Sequence, residues 1–220
     1  METVLITGAN RGIGLELARH YEREGWQVIG VCRQTSDELD EVASRVFEGV
    51  DVTDDAQVSY LAGQLVDQSL DLLINNAGIL QDEKLGTIDF DSIRTQMEIN
   101  AYGPLRVTQA LLPNLHEGSK IANITSRMGS IADNDSGGRY GYRASKAALN
   151  AFGKSLAMDL KPRGIAVAQL HPGYVQTRMV SFGGKITPVE AASGLAQRID
   201  ELTLENTGSF WHSSGEELPW

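Results

Sequence analysis

The 220-residue sequence predicts an α/β fold, a single domain over residues 1–220 with a doubly wound, mainly parallel seven-stranded sheet and helices on both faces. Three observations predict it. Short apolar runs alternate with longer amphipathic ones along the whole chain. The apolar runs lack polar alternation, as strands covered on both faces do. Strand–helix–strand alternation in turn needs crossover connections, which make neighbouring strands parallel.

The elements follow in order. TVLIT at 3–7 is the first strand, and a helix over 12–24 places Ile13, Leu17 and Tyr21 on one face before Gly25 stops it. Residues 27–32 and 45–50 read as the second and third strands. Helical stretches near 54–67, 90–113 and 140–161 lead into strands at 71–75, 120–125 and 165–170. Thr187-Pro188-Val189-Glu190 forms a capping box with proline at the first helical position. The helix it opens is expected to bury Val189, Ala192, Leu195, Ala196, Ile199 and Leu202, and residues 208–211 make a last short strand. No internal repeat or interdomain linker interrupts the pattern.

Composition narrows the function classes. With 19 Lys and Arg against 29 Asp and Glu the net charge is -10, and no basic stripe offers a footprint for nucleic acid or an anionic membrane. No apolar run is long enough to cross a bilayer, and Glu2 stands where a signal peptide would carry positive charge. Cys32 is the only cysteine, so neither an intramolecular disulfide nor a thiolate metal site can form, which suits a reducing cytoplasm. His20, His116, His171 and His212 show no metal-ligand spacing, and no metal is expected.

Directly after the first strand comes Thr7-Gly8-Ala9-Asn10-Arg11-Gly12-Ile13-Gly14. Glycines here let backbone approach a phosphate, and the following helix N-terminus offers unpaired N–H groups with a favourable dipole. The Gly-x-x-x-Gly-x-Gly spacing differs from the commoner dinucleotide fingerprint, so its placement between strand and helix carries the signal. The second strand ends Val31-Cys32-Arg33-Gln34, with no acid before Asp37 to accept ribose hydroxyls. Arg33 and Arg11 can instead meet a 2′-phosphate, which favours NADP(H) over NAD(H).

Tyr142 and Lys146 are four apart on a helical stretch and share one face. An ammonium beside a phenol stabilises the phenolate and allows proton exchange near neutral pH. Ser126 ends the fifth strand, where its hydroxyl can hold a substrate oxygen as charge develops. Tyr140 is the rival, but the residue four beyond it is Ala144.

Taken together, Thr7 to Gly14, Asp51-Val52, Asn75-Asn76-Ala77-Gly78, Asn100, Ser126, Tyr142 with Lys146, and Pro172-Gly173 followed by Thr177 resemble the short-chain dehydrogenase/reductase family. The closer likeness is to its C-factor and sniffer-like carbonyl reductase branch, through Gly129-Ser130-Ile131, Ser136-Gly137-Gly138 and the ending Glu217-Leu218-Pro219-Trp220. The resemblance implies a Rossmann fold that transfers hydride between NADP(H) and a carbonyl or alcohol. It implies a catalytic set of Ser126, Tyr142, Lys146 and Asn100, the last breaking the helix hydrogen bonding and holding a water. Cofactor contacts are implied for Gly8, Asn10, Arg11, Gly12, Ile13, Gly14, Arg33, Asp51, Val52, Asn76, Ala77, Gly78, Tyr142, Lys146, Pro172, Gly173, Val175 and Thr177. Asn75 would line the same cleft. A substrate-binding segment near 174–187, a homodimer or homotetramer and a small-molecule carbonyl or alcohol substrate complete the picture. Two departures stand out. Ser126 and Tyr142 are sixteen apart, longer than usual, and the stretch from Arg178 to Thr187 is short, which implies an open or small pocket. The alternative is a non-enzymatic NADP(H) sensor or signalling protein on the same fold, against which the intact Ser126, Tyr142 and Lys146 argue.

Overall fold

A computed structural model describes residues Met1–Trp220. Its strands are β1 (Thr3–Thr7), β2 (Gln27–Val31), β3 (Arg45–Phe47), β4 (Leu70–Asn75), β5 (Leu115–Ile124), β6 (Ala166–His171) and β7 (Ser209–His212). The helices are α1 (Gly12–Arg23), α2 (Asp37–Val42), α3 (Asp55–Gln64), α4 (Phe90–Met97), α5 (Gly103–Ala110), α6 (Tyr140–Leu160) and α7 (Pro188–Asp200). The sheet order is β3-β2-β1-β4-β5-β6-β7. Every pairing in it is parallel, so the expected mainly parallel sheet is parallel throughout.

Strand β1 shows how the two cores divide. Successive side chains point to opposite faces. Val4 and Ile6 pack with Leu17 and Tyr21 of α1 and Leu195 and Ile199 of α7. Leu5 faces the other way, toward Val58 and Leu61 of α3, Val107 of α5 and Leu160 of α6. The chain runs outward from β1 to β3 and then returns to β1's other side, so the strand order reverses between β1 and β4. In open α/β sheets the crevice beyond the strand ends at such a reversal is where ligands bind. No helix is long and apolar enough to cross a membrane.

Several expected boundaries shift. Strand β3 stops at Phe47, and β5 begins earlier than expected, at Leu115, with a register irregularity opposite β4. The helical stretch near 90–113 is broken: α4 passes through a π turn at Glu98–Tyr102 before α5 resumes. Helix α2 was not foreseen because DELDEV offers a single buried residue, Leu39, and too short a period to register. The capping box at Thr187 forms in both directions. Val189, expected in the core, is instead 55% exposed. The buried stripe of α7 runs through Ala191, Ala192, Leu195, Ala196 and Ile199, and the first turn, where Val189 sits, lies ahead of it in solvent.

Candidate active site

The crevice is built first by the glycine turn. Gly8 (φ +66°) and Gly12 (φ +56°) both take the left-handed conformation that side chains disfavour. Crowding adds to the requirement, since a Cβ on Gly8 would lie 2.9 Å from Cα of Ala77, and one on Gly14 would collide with the carbonyl oxygen of Gly8. Asn76 braces the turn from the end of β4. Its Nδ2 donates to the carbonyls of Thr7 (3.1 Å) and Gly8 (3.0 Å), while the backbone N–H groups of Asn76 and Ala77 donate to Thr7 Oγ1. Asn75, expected to line the cleft, turns inward instead because side chains alternate along β4. Its Nδ2 donates to Asn123 Oδ1 and Thr108 Oγ1 under α5.

Helix α1 opens without a side-chain cap at Arg11 and without an acid in its first turn. By contrast α3, α4 and α7 are capped by Asp54, Asp89 and Thr187. Free first-turn N–H groups beside close-packed glycines fit the phosphates of a dinucleotide. At the end of β2 the Arg33 guanidinium stands 3.9 Å from the Asp51 carboxylate. Bonds from the Thr53 N–H and hydroxyl, with Arg33 and Arg106 nearby, hold the Asp51 carboxyl below its ordinary range against the opposing effect of burial. Ser36, whose hydroxyl donates to the Asn10 carbonyl, joins α2 to the glycine turn. On the far side of the turn, Thr177 comes within 3.5 Å of where a Cβ on Gly12 would stand. That contact returns the segment containing Pro172, Gly173 and Val175 to the crevice.

The second half of the site lies at the ends of β5 and α6. Tyr142 and Lys146 are both buried on one face of α6, and Ser126, just beyond β5, lies beside the Tyr142 hydroxyl. Lys146 Nζ donates to the Ile124 carbonyl at 2.9 Å and sits 5.9 Å from the centre of the Tyr142 ring. It also comes within 3.6 Å of a Cβ position on Gly78, which joins this cluster to the cleft. Burial pushes the Lys146 ammonium down to about 8. It pushes the Tyr142 phenol up, opposed by the Ser126 hydrogen bond and the charge of Arg139. Tyr140, the rival tyrosine, stands partly exposed at the first position of α6.

Asn100 sits within the π turn, so the helix hydrogen bonding does change register there. Its amide is fully used by protein. Oδ1 accepts from the Ile79 N–H (2.8 Å), and Nδ2 donates to the Ile79 carbonyl (2.8 Å) and Ser145 Oγ (3.0 Å). Ser145 passes the contact on by donating to the Tyr142 carbonyl at 2.9 Å. Sequence reasoning missed Ser145. Its signal was its place between Tyr142 and Lys146, one turn from the tyrosine.

His171 ends β6 and meets His212 of β7 edge to face, ring centres 4.9 Å apart. Its Nδ1 is buried without a hydrogen-bond partner. Burial, with the charges of His212, Arg127 and Lys146, pushes its pKa down to about 3. An unfolded histidine protonates near 6.5, so between that pH and about 3 the unfolded chain binds a proton the folded chain refuses. Stability is therefore expected to fall as pH drops through this window. Urea melts from pH 7 to 4 should show the slope, and His171→Phe should flatten it; an unchanged slope would assign the acid sensitivity elsewhere.

Comparison with known proteins agrees with this geometry. The family model described as short chain dehydrogenase matches residues 2–184. A Rhodococcus sp. (strain AD45) protein named 1-hydroxy-2-glutathionyl-2-methyl-3-butene dehydrogenase is 43% identical over 226 residues, covering 100% of both chains. The C-signal protein of Myxococcus xanthus is 44% identical over 154 residues, covering 69% of this chain and 93% of its own. The crystal structure of NADPH-bound carbonyl reductase from chicken fatty liver superposes with a TM-score of 0.90 at 30% identity, covering 100% of this chain and 99% of that one.

Proposed function

The chain belongs to the short-chain dehydrogenase family, and from that premise we propose an NADP(H)-dependent carbonyl reductase in which Tyr142 is the general acid/base. The observation that carries this reading is the gathering of Ser126, Tyr142 and Lys146 into one buried cluster beside Gly78, at the crevice the glycine turn builds. In this reading Gly8, Asn10, Arg11, Gly12, Ile13 and Gly14 hold the pyrophosphate. Asp51 and Val52 face the adenine, and Asn76, Ala77 and Gly78 line the cleft. Pro172, Gly173, Val175 and Thr177 lie beside the nicotinamide, and Lys146 also binds its ribose. When bound, the nicotinamide supplies the hydride for reduction and takes it up in oxidation.

The chain's own groups manage the proton. Tyr142 O–H donates to the carbonyl oxygen, and the Ser126 hydroxyl holds that oxygen as negative charge develops on it. Burial raises the Tyr142 phenol above its ordinary range, which suits a proton donor. The Lys146 charge stabilises the phenolate left behind. The Asn100 amide, committed to Ile79 and Ser145, ties the π turn to the helix that carries Tyr142.

Substrate enters past the segment at 174–187, which a bridge between Val175 and Ile186 closes into a compact loop. Leu85, Ile131, Tyr174, Met179 and Phe182 are all exposed on the segments around this mouth. They suit a moderately apolar carbonyl compound, and an open mouth accommodates a bulky substituent such as the one the Rhodococcus relative's name describes. The test is oxidation of NADPH and NADH by the purified protein across aldehydes, ketones and quinones. Turnover with NADPH supports the reading; tight NADPH binding with no turnover on any carbonyl would favour a sensor.

Arg33 and Arg11 support the NADP(H) preference, as does the NADPH-bound chicken neighbour. Losing one charge-assisted contact to the 2′-phosphate costs about 1.5–3 kcal/mol, roughly 10- to 100-fold. Arg33→Ala is therefore expected to weaken NADPH by about that factor and leave NADH nearly unchanged, read by fluorescence titration. Equal losses for both cofactors would remove Arg33 from the 2′-phosphate.

A further inference from the structure

Helix α6 carries both Tyr142 and Lys146, yet it begins with no cap of its own. Arg139 occupies the cap position in the left-handed conformation (φ +50°), and its side chain makes no capping bond. An uncapped helix end leaves its first N–H groups without partners. Here the partner comes from another part of the chain. Glu83, in the loop after β4, is a carboxylate with only 3% of its surface exposed. Its Oε2 accepts from the Gly141 N–H at 3.0 Å, and its own carbonyl accepts from the Arg139 N–H at 3.1 Å. Gly141 is the second residue of α6, the position a capping side chain ordinarily serves.

The other carboxylate oxygen is held just as firmly. Glu83 Oε1 accepts from Ser92 Oγ and Gln96 Nε2 of α4, both at 2.5 Å. Gln96 is itself fully buried, and its Oε1 accepts from the Gln81 N–H at 2.9 Å. The approach of the three elements is tight enough to require glycine at 141, since a Cβ there would stand 2.5 Å from Gln96 Nε2 and 2.9 Å from Glu83 Oε1. A buried charge with three donors is costly to leave incomplete, so this cluster has one arrangement rather than several.

We propose that Glu83 is a positioning residue for catalysis, a cap supplied by a distant loop of the same chain that fixes the first turn of α6 and with it the Tyr142 hydroxyl against Ser126. The inference rests on the reductase reading for its catalytic consequence and on the hydrogen bonds alone for its structural one. Glu83 touches neither substrate nor cofactor; it acts through Gly141 and Arg139. Displacing a catalytic group by about 1 Å costs on the order of 100-fold in rate.

The experiment compares Glu83→Ala with the exchange pair Glu83→Gln/Gln96→Glu in the full-length protein. Glu83→Gln alone would set its NH₂ against the Gln96 Nε2 donor; with Gln96→Glu opposite, that NH₂ meets a carboxylate oxygen while its carbonyl oxygen still accepts from the Gly141 N–H. The other oxygen introduced by Gln96→Glu keeps the bond from the Gln81 N–H, and Ser92 Oγ turns its proton to Gln81 Oε1, 2.8 Å away. Glu83→Ala is expected to lower kcat about 10- to 100-fold with the NADPH dissociation constant unchanged, and the exchange pair to recover most of that loss. Amide hydrogen exchange at 139–142, followed without substrate, should quicken in Glu83→Ala and revert in the exchange pair. A folded Glu83→Ala protein with wild-type kcat and wild-type exchange overturns the proposal, and so does an exchange pair as slow as Glu83→Ala. If the alanine variant fails to fold, the exchange pair decides: retained kcat and exchange support the cap, and a loss of kcat overturns it. Failure of the reductase reading looks different, because the wild type would then turn over no carbonyl while the exchange response to Glu83→Ala persisted.

Discussion

Tyr142→Phe is expected to lower carbonyl reduction by about 10²–10⁴-fold while leaving NADPH binding nearly intact. The substitution deletes one oxygen from a ring that is only 8% exposed and leaves its packing on α6 in place. The lost atom is the one beside Ser126, so both the proton donor and one anchor for the substrate oxygen disappear together. Lys146 keeps its bond to the Ile124 carbonyl in the variant, so the cleft beside Gly78 should hold its shape. Single-turnover rates at saturating NADPH, alongside a fluorescence titration of the cofactor, separate the two effects. A variant with near wild-type turnover would show that Tyr142 is not the acid, and attention would pass to a water-mediated donor. A variant that loses NADPH binding as severely as turnover would make the tyrosine a structural part of the cofactor cleft.

What could be read from the sequence was whatever is decided locally. The glycine turn was legible because strand, glycines and helix are contiguous, and Tyr142 with Lys146 because four residues make one helical turn. The capping box at Thr187 is equally local and forms as expected. Interactions set by tertiary packing were not legible. Glu83 lies in a polar loop like many exposed acids, and nothing in Gln81-Asp82-Glu83-Lys84 marks which side chain will be buried against Gly141. Gln96 sits on a helix whose pattern runs unbroken through Asn100, because the apolar spacing does not register the π turn that joins α4 to α5. Asn75 was placed in the cleft with its neighbours, although alternation along a strand sends adjacent residues to opposite faces. The common thread is that residue type and spacing reveal a site's contacting groups better than the groups that hold them in place.

Lys146→Met is expected to abolish turnover and yet raise stability near neutral pH. The ammonium is buried, with 4% of the residue's surface exposed and a single hydrogen bond to the Ile124 carbonyl. Burial has lowered its pKa from 10.5 to about 8. At one pKa unit per 1.36 kcal/mol, holding the charged form in the fold costs about 3 kcal/mol at any pH below 8. Methionine has a similar reach and no charge, and leaving the Ile124 carbonyl without that donor takes back about 1 kcal/mol or more. A net gain of about 1–2 kcal/mol corresponds to roughly 2–8 °C in melting temperature for a chain of this size. The pH dependence has a definite sign. Between about 8 and 10.5 the folded wild type sheds a proton that the unfolded chain keeps, so its penalty fades as pH rises and the advantage of methionine shrinks with it. Melting curves of both proteins at pH 6.5, 8 and 10 provide the measurement. A methionine variant less stable than wild type at pH 6.5 would mean that the ammonium is stabilised by its surroundings rather than strained by them. An advantage that survived undiminished at pH 10 would locate the gain in packing and not in the buried charge. The expected combination, more stable and inactive, is the signature of a charge kept in the core for chemistry at the expense of the fold.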